Sequence, residues 1–167
     1  MNFQFYLEKL QNSSEFKEFV KENPEAYSCS GFFTLDKEGT DNQRHIDFYL
    51  PSEKKIFSFK LQERKVEKIP MQTISEKVPG KINLNVDFIF EDVEKTILEE
   101  MKIQNIKQSI QKIMISLQNF KGKEILVCTV FISMLGILRV HIGLEGEDKR
   151  KVTLFEKKSF FDIVRQK

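Results

Sequence analysis

The sequence predicts an α+β fold, an antiparallel meander in one sheet or two, packed by a long central helix. Three observations point there. Neither glycine nor proline occurs between Gly80 and Gly122, and much of that stretch carries apolar residues at helical spacing. Alternating apolar and polar runs flank it on both sides. Clusters rich in Gly, Pro, Asn and Asp divide those runs.

The first element is helical. Phe3, Tyr6, Leu7 and Leu10, then Phe16, Phe19 and Val20, keep a helical stripe that breaks once, at Asn12-Ser13-Ser14. Asn12 with Glu15 fits a capping box, and Ser14 offers a second cap, so a short helix kinked into another is expected. Pro24 ends it, having no amide hydrogen and disfavouring helix in the residue before it. Strands are predicted at 27–35, 43–50, 55–61 and 65–69. In the second of these Ile46, Phe48 and Leu50 oppose His45, Asp47 and Tyr49. Residues 71–86 read as irregular, with Pro79-Gly80 the clearest break.

The long helix is expected to start between Asp87 and Asp92, where acidic side chains favour the positive helix end, and to reach about Gln118. Its stripe is Val93, Ile97, Met101, Ile106, Ile110, Ile113, Met114 and Leu117, drifting after Met101. Such a rod is about 40 Å long. Beyond Gly122, residues 124–132 are apolar on both faces and read as a central strand covered on both sides. Residues 137–144 alternate, with Leu138, Val140, Ile142 and Leu144 opposite Arg139 and His141. Residues 151–155 pair back, and Ser159 is expected to cap a short helix through Val164.

Both parts, 1–86 and 87–167, therefore read as helix followed by antiparallel strands, compatible with two intimately packed αβββ halves. Lys65-Val66-Glu67-Lys68-Ile69 and Lys151-Val152-Thr153-Leu154-Phe155 hold comparable places. This element order resembles cystatin-like and PepSY-like architectures, in which a helix crosses a curved antiparallel meander. Folds of that sort host unrelated functions.

Composition narrows the function classes. Twenty-seven basic against 25 acidic residues leave a formal charge of +2, short of the dense positive face that phosphate neutralisation requires. The first ten residues hold no signal-peptide core or membrane span, and the two cysteines have no metal-ligand spacing. A soluble, reduced, cytoplasmic setting away from membranes is the expectation. No cofactor or metal motif is present.

His45, Asp47 and Tyr49 share one face of a strand, and an imidazole beside a carboxylate can relay protons or hold a metal. Arg139 and His141 share the polar face of another. If both strands enter one sheet in the same sense, these five residues form a polar patch; otherwise they are solvent-facing side chains. Ser28-Cys29-Ser30-Gly31 suggests a nucleophile but fits small residues at the start of a strand better. Lys54-Lys55-Ile56-Phe57-Ser58-Phe59-Lys60 mixes basic and aromatic residues as base-stacking strands do, yet Phe57 and Phe59 alternate in phase with Leu61, as a core face does. Lys149-Arg150-Lys151 with Lys157-Lys158 reads as a solvated basic turn.

The function expected is non-catalytic binding, of a protein partner or a second copy of the chain. One alternative is a small-ligand site or enzyme with its pocket between sheet and helix; another is nucleic-acid binding.

Overall fold

In the computed structural model, residues 1–70, 77–159 and 165 are described. The chain opens with α1 (Phe3–Asn12), capped by the Asn2 side chain, which accepts from the Phe5 amide at 3.0 Å. The expected break follows, but the cap of α2 (Ser14–Glu22) is Ser13 rather than Asn12 or Ser14. Its hydroxyl accepts from Phe16 N at 3.3 Å and donates to Leu10 O at 2.7 Å. One residue thus closes one helix and starts the next.

Four strands follow: β1 (Tyr27–Asp36), β2 (Arg44–Leu50), β3 (Lys55–Leu61) and β4 (Val66–Pro70). After them come α3 (Phe90–Ile103), β5 (Ile110–Phe120), β6 (Lys123–Ile132), β7 (Gly136–Gly143), a 3-10 turn at Gly146–Asp148, and β8 (Val152–Ser159). The strands form one antiparallel sheet ordered β4-β3-β2-β1-β5-β6-β7-β8. Two meanders therefore join along their first strands, and their fourth strands, β4 and β8, lie at opposite edges.

The long helix is corrected. Residues 90–103 are helical, but 110–120 form a central strand, with Gly31, Phe33 and Leu35 opposite Leu117, Ile115 and Ile113. Ile113, Ile115 and Leu117 are buried at period two. The helical stripe read through Ile106 to Leu117 mixed residues of both strand faces. Asn105, at φ 56°, is the stop signal: the helix turns through it into the left-handed region, and Ile106 N reaches back to Met101 O at 2.8 Å. The helix of the cystatin-like order is replaced by a shorter helix and a strand. Ser159 ends β8 opposite Gly136, and the helix expected from it to Val164 lies outside the described residues.

Helices and core occupy one side of the sheet. Phe33, Ile46, Phe48, Phe59, Ile113, Ile115, Leu117, Leu126, Cys128, Val130, Leu138 and Val140 point there and join Leu10, Phe19, Val93, Ile97 and Met101 in one core. Between the meanders, Phe3 stacks on Phe88 with ring centres 5.0 Å apart, and Phe33 meets Phe90 at 5.0 Å. The extended segment before α3 is laced to the sheet by Ile82 N to Ser28 O and Asn83 N to Glu124 Oε1, both 2.9 Å.

No described element covers the opposite face. The expectation that β6 is covered on both sides fails for that reason: Val127, Thr129 and Phe131 are only half-buried. Among the described residues no helix is long and apolar enough to cross a membrane.

Candidate functional site

All five candidate residues, His45, Asp47, Tyr49, Arg139 and His141, stand on this open face. The pairing register is informative. Lys60, His45, Phe32, Ser116, Val127, His141 and Leu154 oppose one another in sequence, forming a single row across the sheet. Four strand steps separate the histidines, roughly 19 Å at the usual spacing. They therefore belong to two separate polar clusters.

The first cluster is organised by a bulge at Ser28/Ser30 that sets Cys29 and Ser30 against Asp47. Ser30 Oγ donates to Asp47 Oδ2 at 2.6 Å, and the Cys29 thiol reaches Asp47 O at 3.5 Å. His45 Nδ1 lies 2.9 Å from Ser58 Oγ. His45 Nε2 and Asp47 Oδ1 are buried without a hydrogen-bond partner. Tyr27 and Tyr49 flank them, ring to ring at 5.5 Å, and Phe32 lies beside His45 at 6.2 Å.

This cluster contains Ser, His and Asp but not their catalytic order. Asp47 bonds Ser30 rather than orienting His45, and Ser58 is 2 % exposed, out of reach of a substrate carbonyl. Burial depresses the His45 pKa and Lys60 adds to the effect, against the opposing pull of Asp47. The Cys29 thiol is pushed up to about 12 by burial and then by the Asp47 charge, so it is no nucleophile at neutral pH. Cys128, in the core, is likewise pushed up to about 12 by burial.

The second cluster lies at the far end of the face, where the β5–β6 turn approaches the connection from β7 to β8. His141 is 8 % exposed, and its Nε2 has no hydrogen-bond partner. It lines a groove of about 440 Å³ with Phe120, Ile125 and Leu154. Phe120 is 52 % exposed; its ring centre is 6.4 Å from that of His141, and Lys121 Nζ sits 5.3 Å above it. Burial lowers the His141 pKa and Arg139 lowers it further, with Glu156 opposing. Arg139 is exposed and stands opposite Glu156 in the β7–β8 register.

Behind the groove, Glu124 is 6 % exposed and accepts from Asn83 N and Asn119 Nδ2. Burial pushes its carboxyl up, but these bonds and one with Glu145 outweigh that and hold it below the ordinary range. Glu145 is raised, first by that hydrogen bond.

Residue spacing alone does not mark Phe120, Lys121, Glu124 or Glu145 as neighbours of His141. The pairing of residues 119–124 could have been suspected from Lys121-Gly122, a two-residue hairpin turn with both φ values positive, at 52° and 82°. The basic strand read for base stacking turns its rings inward: Phe59 is fully buried, and Phe57 packs on Phe19 at 5.2 Å. Lys149 and Arg150 line a second cavity, about 230 Å³, between α3 and the sheet, floored by Leu126 and Ile142. Among the described residues no group of three His, Cys, Asp or Glu is placed to hold a metal ion.

No protein-family model matches the chain, and no curated protein matches it. Among solved structures it is similar to a crystal structure described as "a putative lipoprotein" from Clostridium difficile 630, at 13 % identity, with a TM-score of 0.58 over 86 % of this chain and 90 % of that one. At that identity the likeness is one of fold.

Proposed function

We propose that this protein is a non-catalytic interaction module whose open sheet face packs against a protein surface, its own second copy being the occupant. One observation carries the reading. The three described helices crowd one side of an eight-stranded sheet, while the other side holds Phe32, Ile56, Met114, Val127, Phe131 and Ile137 half-buried with no described element over them. An apolar sheet face of this extent is unusual on a monomer. Eight strands at the usual spacing give a surface of roughly 1,000 Å², against about 800 Å² per partner in a standard interface. Charges of both signs, Lys60 with Glu67 and Arg139 with Glu156, face one another across adjacent strands and suit a self-complementary contact.

Sedimentation equilibrium tests this reading. We expect a reversible dimer that Val127→Lys, placed mid-face, converts to monomer without changing the circular dichroism spectrum. A wild-type chain that stays monomeric at high concentration overturns it.

The cavity beneath α3 favours a second reading, a small-ligand domain. Its apolar floor and its rim of Asp92, Lys149 and Arg150 suit a small dipolar molecule. A cytoplasmic setting is proposed from two buried, unbridged thiols. Fractionation of the native cells tests it, and recovery in the envelope would overturn it.

A further inference from the structure

The cavity beneath α3 is lined by charges of both signs that no ion pair within the protein neutralises. On the α3 side stand Asp87, Asp92 and Glu99, with Lys95 among them; on the connection from β7 to β8 stand Lys149 and Arg150. None of these six takes part in an ion pair among the described residues. The groove at the β5–β6 turn differs, since Lys123 there lies 3.9 Å from Asp148. The α3 side of the cavity is therefore net negative, and the side formed by Lys149 and Arg150 is positive. Val93, Ile142 and Leu144 add apolar lining. A volume of about 230 Å³ lies below the range of drug-sized sites, so the ligand that fits is small.

The division of charge decides what fits. A simple anion would be repelled by the carboxylates on the α3 side, and a simple cation by Lys149 and Arg150. A zwitterion meets an opposite charge on each side, and charge-assisted hydrogen bonds are the strong ones. We propose that this cavity binds a free α-amino acid with an aliphatic side chain. Its carboxylate lies toward Lys149 and Arg150, its ammonium toward Asp92, and its side chain against Val93 and Ile142. An α-amino acid carries both charges on one carbon, which leaves the whole side chain for the apolar lining. This assignment rests on the small-ligand reading and names its ligand class. It does not depend on self-association, since the cavity lies on the helix side of the sheet and the open face is the other.

Three probes separate its parts: L-leucine, 4-methylpentanoate, which lacks the ammonium, and 3-methylbutylamine, which lacks the carboxylate. Each is titrated by NMR into isotope-labelled protein at pH 7. We expect leucine to bind about tenfold more tightly than either fragment, as one further charge-assisted bond implies, with shifts at Ile89, Val93, Ile142 and Leu144. Arg150 has a φ of 64°, a left-handed conformation that asparagine adopts readily, so Arg150→Asn removes the charge and keeps the fold. It should weaken leucine and 4-methylpentanoate about tenfold without weakening 3-methylbutylamine. Asp92→Asn changes an exposed side chain and should do the reverse, weakening leucine and the amine but not the acid. Leucine bound no more tightly than its fragments, or affinities unaltered in both variants, overturns the amino-acid assignment and leaves the small-ligand reading standing. Absence of shifts at the cavity with all three probes overturns both.

Discussion

His45 and His141 show how a residue's surroundings set its chemistry. Each stands on a strand face that no described element covers, yet neighbouring side chains bury its Nε2, and the buried ring resists protonation. Both titrate below the ordinary histidine range, so the unfolded chain takes up protons first as the pH falls. The linked stability is complete above about pH 6.5 and is lost as the pH falls through the lower folded-state values. Urea midpoints measured from pH 7.5 to 5 should therefore decline, and His141→Phe should flatten that decline. An identical slope in the variant would contradict this assignment.

Gly143 is the other residue whose role follows from its contacts. A Cβ there would stand 2.3 Å from Asp148 O and 2.8 Å from Asp148 C, backbone atoms that cannot move aside as a side chain could. Gly143 also accepts from Arg150 N at 2.8 Å and donates to Lys151 O at 3.0 Å, so the 3-10 turn is pinned to it. Gly143→Ala should cost about 2 kcal/mol, in the range of overpacking penalties, and lower Tm by roughly 4–8 °C. Gly136→Ala meets Cγ1 and Cδ1 of the buried Ile132 side chain, at 2.6 and 2.7 Å, and should cost less only to the extent that a side chain gives way more readily than backbone.

At the scale of elements, the helix caps separate what can be read locally from what cannot. A break at residues 12–14 was evident, but three adjacent residues could each cap a helix, and only the backbone of Ser13, extended at ψ 144°, decides among them. Ser13→Ala should lose about 1 kcal/mol in thermal or urea melts, whereas Asn12→Ala should be nearly neutral. Equal losses would return the cap to the capping-box position. Residues 110–120 are the larger lesson. Ile110, Ile113, Met114 and Leu117 satisfy a helical period, while Ile113, Ile115 and Leu117 satisfy an alternating one. What decides is Asn105 as a left-handed stop, together with partners on both sides, in β1 and β6. Those partners lie far away in sequence, and no local window contains them.

At the scale of the molecule, the two meanders meet along β1 and β5 and share an aromatic seam of Phe3, Tyr6, Phe33, Phe88 and Phe90. Rings from both sides of the 86/87 boundary fill it. Unfolding should therefore be a single transition, with calorimetric and van't Hoff enthalpies equal. Phe88→Ala should destabilise the whole chain by about 3–4 kcal/mol rather than release one meander. Two resolved transitions would show that each meander carries its own core.

The sequence by itself determined an antiparallel α+β chain, the placing of most strands and turns, and which side of each strand is apolar. It did so because alternation and turn chemistry act within a few residues. His45 and His141 were visible in it as members of polar strand faces. Only the tertiary structure decided that these faces are one face, that the histidines share a row yet stand in separate clusters, and that Phe120 and Lys121 frame the second. Strand order and register arise from pairing between segments far apart in the chain, which residue spacing alone does not encode.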